Sequence, residues 1–291
     1  MSERISRRVF LRRTLGGLGV LATLGGGGAV AQVYRFEVNR HRAPLPGLRT
    51  PLRVVMLSDL HYGPFIGTGS VRAWVDAALE ARPELIVMTG DFVDTDLEGS
   101  PRDLIAELSR LRAPLGVWGV WGNHDYGSFG AYVRRWQAAH QEANARLAAF
   151  GNALSAAGVR ILTNQGVRLR PDLYLAGVDD FWWGRPDLGA ALAGAPATGA
   201  WLLMSHNPDL LPEVPTRVGL TLSGHTHGGQ VRLPLVGALR TASRYGERFV
   251  QGFVRGPAPG FVSRGLGVSM LPVRWACAPE VVVLDLEPPA G

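Results

Sequence analysis

The chain has 291 residues, 46% of them apolar, which is enough to bury a large core and excludes fibrous and disordered classes. All 30 basic residues are arginine, so lysine chemistry of any kind is excluded, Schiff bases among them. The net charge of +6 gathers at the start, with a net +4 over residues 1–31 and another +4 over 32–53; from Val54 onward 20 arginines face 22 acidic residues, so no broad nucleic-acid footprint is expected.

The first elements are an address and a tether. Ser6-Arg7-Arg8-Val9-Phe10-Leu11-Arg12 resembles the twin-arginine export signal, a paired arginine followed by a hydrophobic doublet. Behind it, residues 14–30 are weakly apolar and carry seven glycines, and Ala29-Val30-Ala31 offers an A-x-A cleavage site. Each glycine costs about 1 kcal/mol relative to alanine in a helix, which disfavours a membrane span. Residues 1–31 are therefore expected to be a signal peptide read by the twin-arginine machinery, and 32–51 an arginine-bearing linker able to touch a membrane or wall surface. This places the protein in the periplasm or on the outer face of the membrane.

From Leu52 to the end, short apolar runs alternate with helical patterns, the signature of one layered α/β domain. Strands are expected near 52–58, 85–89, 115–120, 159–162, 167–170, 173–177, 200–205, 217–223 and 281–286. Helices are expected near 70–81 and 101–112, with a long alanine-rich one over 130–157 that closes at Gly158. Cys277 stands alone, so no intrachain disulfide forms, and it reads as a small buried hydrophobe.

The polar motifs follow the ends of those strands: Asp59-Leu60-His61, Gly90-Asp91, Gly122-Asn123-His124-Asp125, Ser205-His206 and Gly224-His225-Thr226-His227. Loops beyond strand carboxyl ends are where α/β folds place ligands. Each motif alone has a structural reading as a cap or turn, but five of the seven histidines fall within them, interleaved with Asp and Asn. His41 and His140 are the remaining two, and both read as structural. Phe181-Trp182-Trp183 reads first as core packing and second as a platform beside the site. Arg264 and Arg274 offer either salt bridges or a grip on an anion.

In order and content the motifs resemble the calcineurin-like metallophosphoesterases, whose pattern runs D-x-H, G-D-x-x-D, G-N-H-[DE], a lone His, then G-H-x-H. The closing stretch, Ser263-Arg264-Gly265 through Arg274 to Glu280, is similar to the bacterial exported or membrane-associated branch of that superfamily. The resemblance implies a single catalytic domain built as a β-sandwich flanked by helices. It also implies a first divalent ion on Asp59, His61 and His227, a second on Asn123, His206 and His225, and Asp91 bridging the two. His124 is implied as the donor to the leaving group, with Asp94 orienting it. A donor set of imidazole and carboxylate without thiolate suits Mn, Fe or Zn, and a shared carboxylate suits two ions roughly 3.5–4 Å apart. The implied reaction is hydrolysis of a phosphate ester by activated water. Phosphoprotein phosphatases of the superfamily carry an arginine where this chain has Thr95-Asp96, which turns the expectation toward a diester, an envelope lipid or a nucleotide sugar. A nuclease on the same fold, or an envelope-binding module without catalysis, are the competing readings.

Overall fold

The computed structural model describes residues 26–94, 100–128 and 137–289. The paired arginines, Thr95, Asp96 and the first residues of the long predicted helix lie outside them.

Two six-stranded sheets stack on one another. In spatial order the first holds β1 (Glu37–Pro44), β14 (Glu280–Glu287), β2 (Leu52–Leu57), β3 (Leu85–Met88), β4 (Val117–Gly119) and β5 (Val159–Ile161). The second holds β12 (Gly252–Arg255), β13 (Pro259–Val262), β9 (Leu220–Ser223), β8 (Ala200–Met204), β7 (Leu173–Gly177) and β6 (Gln165–Arg170). β2 to β5 run parallel, as do β7, β8, β9 and β13, so both clusters of strand carboxyl ends open on one edge of the sandwich. A short hairpin, β10 (Arg232–Leu233) with β11 (Gly237–Ala238), stands apart from both sheets.

The unbroken apolar runs of the central strands follow from burial on both faces. Val54 and Met56 enter the core between the sheets with Leu202, Met204, Leu222 and Leu284, while Val55 and Leu57, one residue out of phase, face the helices. Each such side chain contributes about 1.5–3 kcal/mol by leaving water. On the helical side α2 (Thr68–Glu80) buries Val71, Trp74, Val75 and Ala78 at the i, i+3, i+4, i+7 spacing. Beside it, α3 (Arg102–Leu108) presents a buried Glu107, paired with Arg72 at 2.7 Å and Arg110 at 2.8 Å. The long helix, α5 (Gln137–Ala156), ends where Gly158 takes the left-handed conformation at φ 90°, the stop that the sequence predicted.

The described part of the amino-terminal segment carries regular structure. Helix α1 (Gly26–Val33) runs through residue 31 with Ala29 and Val33 buried, and the Ala29 carbonyl accepts the Arg274 N–H at 3.0 Å. Of the expected A-x-A site, Ala29 is thus packed on the body and Val30 is exposed. The expected linker contains β1, which pairs parallel with β14 from Glu37 to Pro44. Its sequence, EVNRHRAP, lacks the apolar alternation that would have revealed a strand, and backbone pairing rather than side-chain burial holds it. His41 on this strand packs against the rings of Phe253 and Phe261, a structural role as expected. β12 and β13 likewise carry no strand signal in the sequence, because their glycine and proline read as turn residues. Among the described residues, no helix is long and apolar enough to cross a membrane.

Candidate metal centre

The five sequence motifs converge on the edge where the parallel strands end. Asp59 and His61 follow β2, Asp91 follows β3, and Asn123 opens the short helix α4 (Asn123–Ser128) after β4. From the second sheet, His206 follows β8, and His225 and His227 follow β9. All seven side chains are buried.

They form two adjoining clusters, Asp59 with His61 and His227, and Asp91 with His206 and His225. Asn123 joins the second through its Oδ1, 3.1 Å from His206 Nε2. The clusters meet at Asp91, whose Oδ2 lies 3.4 Å from His61 Nε2 and 3.3 Å from His206 Nε2. The backbone is strained for the purpose: Asp59, His61, Asp91, His225 and His227 all have φ between 46° and 72°. Left-handed non-glycine residues cost of order 1–3 kcal/mol each and persist where surrounding structure enforces them, often at functional sites.

This donor set fits a divalent cation. His206 Nδ1 lies 2.7 Å from the Thr89 carbonyl and His225 Nε2 lies 3.1 Å from the Ala242 carbonyl, so each ring donates outward and turns a lone pair inward. Ring nitrogens then face each other at 3.1 Å between His206 and His225, and at 3.0 Å between His61 and His227. Burial holds His225 down to about 3, helped by the neighbouring His206, and burial likewise keeps His227 well below the usual imidazole range. His206 is the opposite case. Burial opposes its charge, yet Asp91 and Asp59 outweigh burial and push it up to about 10. The spot therefore calls for positive charge, and a metal ion is the group that can supply it to lone pairs already aimed there.

The surrounding shell explains how such crowded carboxylates are held. Asp59 Oδ2 accepts the Ser58 hydroxyl at 2.5 Å, and its carboxylate accepts the His225 N–H at 2.8 Å. The loop after β13 closes over it, with the Leu266 N–H on the Ser58 carbonyl and the Gly267 N–H on the Asp59 carbonyl. Asp125 accepts from the N–H groups of Asp91, Phe92, Val93 and Gly122 and so fixes the Asp91 loop. Replacing Asp125 by alanine strands four buried donors, which at about 1–3 kcal/mol each should cost at least about 4 kcal/mol. At roughly 2–4 °C per kcal/mol for a chain of this size, calorimetry should read a fall of at least about 8–16 °C. An unchanged melting temperature would remove Asp125 from that role.

Of the three glycines that precede residues of the cluster, Gly90 takes φ 89°, and a Cβ there would lie 2.6 Å from the Gly122 nitrogen. Gly122 and Gly224 are required for size rather than conformation, since a Cβ would collide with the Asp91 carboxylate and the Ser58 hydroxyl respectively.

His124 lies at the mouth, partly exposed, its backbone N–H on Asp91 Oδ1 at 2.8 Å and its ring edge-on to His61. Asp94 lies between these two rings, 3.8 Å from a nitrogen of each, so spacing alone would also group His61, Asp94 and His124. Arg264 and Arg274 do not line the cleft. Arg264 bridges Glu37 and Glu280, and the fully buried Arg274 donates to the carbonyls of Gly267 and Cys277. Cys277 is buried as expected. The tryptophans, by contrast, are not core. Asp180 Oδ2 accepts the N–H groups of Trp182 and Trp183, and this turn sets Trp182 edge-on to His225 in the cleft wall. The Asp179-Asp180 pair after β7 was the available sequence signal, since aspartates nucleate such turns.

The profile of the calcineurin-like phosphoesterases matches residues 52–229. The chain belongs to that family. It is 30% identical to the uncharacterized metallophosphoesterase YkuE of Bacillus subtilis (strain 168), across 98% of this chain and 99% of that one. It is 31% identical to the phosphodiesterase YaeI of Escherichia coli (strain K12), across 97% and 99%. Among solved structures, a 5'-nucleotidase precursor from Thermus thermophilus is similar at a TM-score of 0.44 and 14% identity, covering 81% of this chain and 54% of that one. As a member of the family this phosphoesterase is a metal-dependent hydrolase of phosphoesters, on a fold of sheets flanked by helices.

Proposed function

We propose that the chain is a dinuclear phosphodiesterase exported by the twin-arginine route and acting on an envelope substrate, a lipid-linked phosphate ester or a nucleotide sugar. The observation that carries the dinuclear reading is the Asp91 carboxylate, one oxygen of which faces a histidine of each cluster. Asp59, His61 and His227 would hold one ion, Asn123, His206 and His225 the other, with Asp91 common to both. When bound, the pair supplies Lewis acidity and lowers the pKa of a water to the range where hydroxide forms at neutral pH.

The remaining roles fall to this chain's side chains. His124 at the cleft mouth donates a proton to the departing oxygen, and Asp94 holds the ring in line for that transfer. Trp182 and Trp183 supply a flat apolar wall for the part of the substrate beyond the phosphate. The test of the reaction is turnover of bis-p-nitrophenyl phosphate, p-nitrophenyl phosphate, nucleotide sugars and lysophospholipids, each with Mn, Zn and Fe. Preferred cleavage of a diester is expected, and its absence with every metal would overturn the reading.

Export rests on Arg7 and Arg8, whose paired guanidinium groups a receptor must read in a way that lysine's point charge does not reproduce. Arg7→Lys with Arg8→Lys should therefore leave folded, active enzyme in the cytoplasm, as fractionation would show. Normal export of that double variant would remove the twin-arginine assignment.

A further inference from the structure

The cleft above the metal cluster has two chemically distinct halves. It encloses about 550 Å³, with Asp91, Asn123 and His225 at its floor. Its outer wall is apolar, made by Leu239, Met270, Leu271 and Val273. That wall continues onto the surface. Val236 is 65% exposed, Met270 61% and Leu239 58%, and Leu235 at the tip of the β10–β11 hairpin is fully exposed. These side chains lie on two neighbouring loops, tied together by Gln230, whose side-chain amide donates to the carbonyls of Ser269 and Leu271. So many large apolar side chains held in water beside a site mark a surface that meets something apolar. Arg240 also lines the cleft; among the described residues its guanidinium contacts the Met270 sulfur at 3.4 Å and has no carboxylate within ion-pair distance.

We infer that this cleft takes a phosphoester bearing a long hydrocarbon chain, with the phosphate over the metal cluster and the chain along the Leu239–Met270 wall, and that the 235–239 tip dips into the lipid bilayer from which the substrate is drawn. The occupant follows from the chemistry of the groove. A soluble nucleotide sugar gains nothing from a wall of leucine and methionine that runs out to an exposed apolar tip, whereas an alkyl chain gains with every methylene it buries. The charge of Arg240, which has no carboxylate partner among the described residues, complements an anionic phosphate or the anionic surface of a bilayer. Trp182, 40% exposed and lining the same cleft, has the amphipathic ring suited to a membrane interface. The inference rests on the phosphodiesterase reading for its catalytic end and on the groove alone for its tail.

The Mn-loaded full chain is titrated calorimetrically with ethyl phosphate and with dodecyl phosphate, the latter below its micellar concentration. Dodecyl phosphate should bind at least about tenfold more tightly, a gain that two buried methylenes already supply. The double variant Leu239→Asp, Met270→Asp should lose that gain, and a wild-type melting temperature would show that these exposed positions leave the fold intact. In parallel, ethyl p-nitrophenyl phosphate in solution and dodecyl p-nitrophenyl phosphate in anionic phospholipid vesicles report turnover, water supplying the oxygen that replaces p-nitrophenolate on phosphorus. Leu235→Asp with Val236→Asp should lower vesicle turnover at least tenfold when scaled to the same variant's turnover of the ethyl ester. Equal affinity for the two alkyl phosphates overturns the tail groove, and undiminished vesicle turnover in the tip variant overturns the bilayer contact. If no ester turns over with any metal yet the dodecyl gain and its loss in the variant hold, the phosphodiesterase reading fails and the groove stands.

Discussion

Asp91→Asn should cost the enzyme about 10³-fold or more in turnover of bis-p-nitrophenyl phosphate and strip ions from the centre at the same time. The substitution keeps the shape of the side chain but puts a neutral amide where Oδ2 faces both His61 and His206, so the single negative charge that the two clusters share is lost. Lewis-acid stabilisation of phosphoryl charge is worth several kcal/mol, and each 1.36 kcal/mol is a factor of ten in rate. A stability readout accompanies the kinetic one. Wild-type enzyme at metal concentrations near 1,000 times Kd gains about 4 kcal/mol from binding. Chelation should therefore lower its melting temperature by roughly 8–16 °C. The Asp91→Asn variant should show much less of that gap. Elemental analysis settles the matter: two tightly held ions per variant chain, with wild-type turnover, would exclude a bridging role for Asp91.

His124→Ala should lower turnover of poor leaving groups by about 10²–10⁴-fold while metal content stays near that of the wild type. His124 lies beside Asn123 in sequence, yet their side chains face different partners: Asn123 Oδ1 meets His206 Nε2 inside the cluster, whereas the His124 ring stands at the cleft mouth with Asp94 behind it. A proton donor matters in proportion to the basicity of the departing oxygen. The loss should be small for p-nitrophenolate, which leaves as an anion, and large for an alkyl alcohol, which leaves only when protonated. Asp94→Asn should follow the same leaving-group dependence with a smaller amplitude, since it acts through His124. Loss of metal on removing His124, or equal slowing of both leaving groups, would instead favour the alternative grouping in which His61, Asp94 and His124 share an ion.

The sequence by itself determined which side-chain types meet in the candidate cluster, their order and the strand ends from which they project. Each motif is local, and a short apolar run followed by Gly-Asp, Gly-Asn-His or Gly-His-Thr-His shows both the strand and the turn that ends it. The central strands and α2 were legible for the same reason, because burial on one or two faces imposes a period on the residues themselves. Tertiary structure alone decided what depends on partners distant in the chain. β1 has no apolar period and exists because β14 offers a paired edge, and α1 is fixed by the Ala29 carbonyl on Arg274. Which histidine nitrogen turns inward is set by carbonyls more than 15 residues away, at Thr89 and Ala242. Trp182 and Trp183 became cleft wall rather than core because Asp180, itself buried, captures their backbone N–H groups. Composition records how much apolar surface a chain carries, but only the packing of β10, β11 and the 269–273 loop beside the metal cluster decides how much of it remains in water.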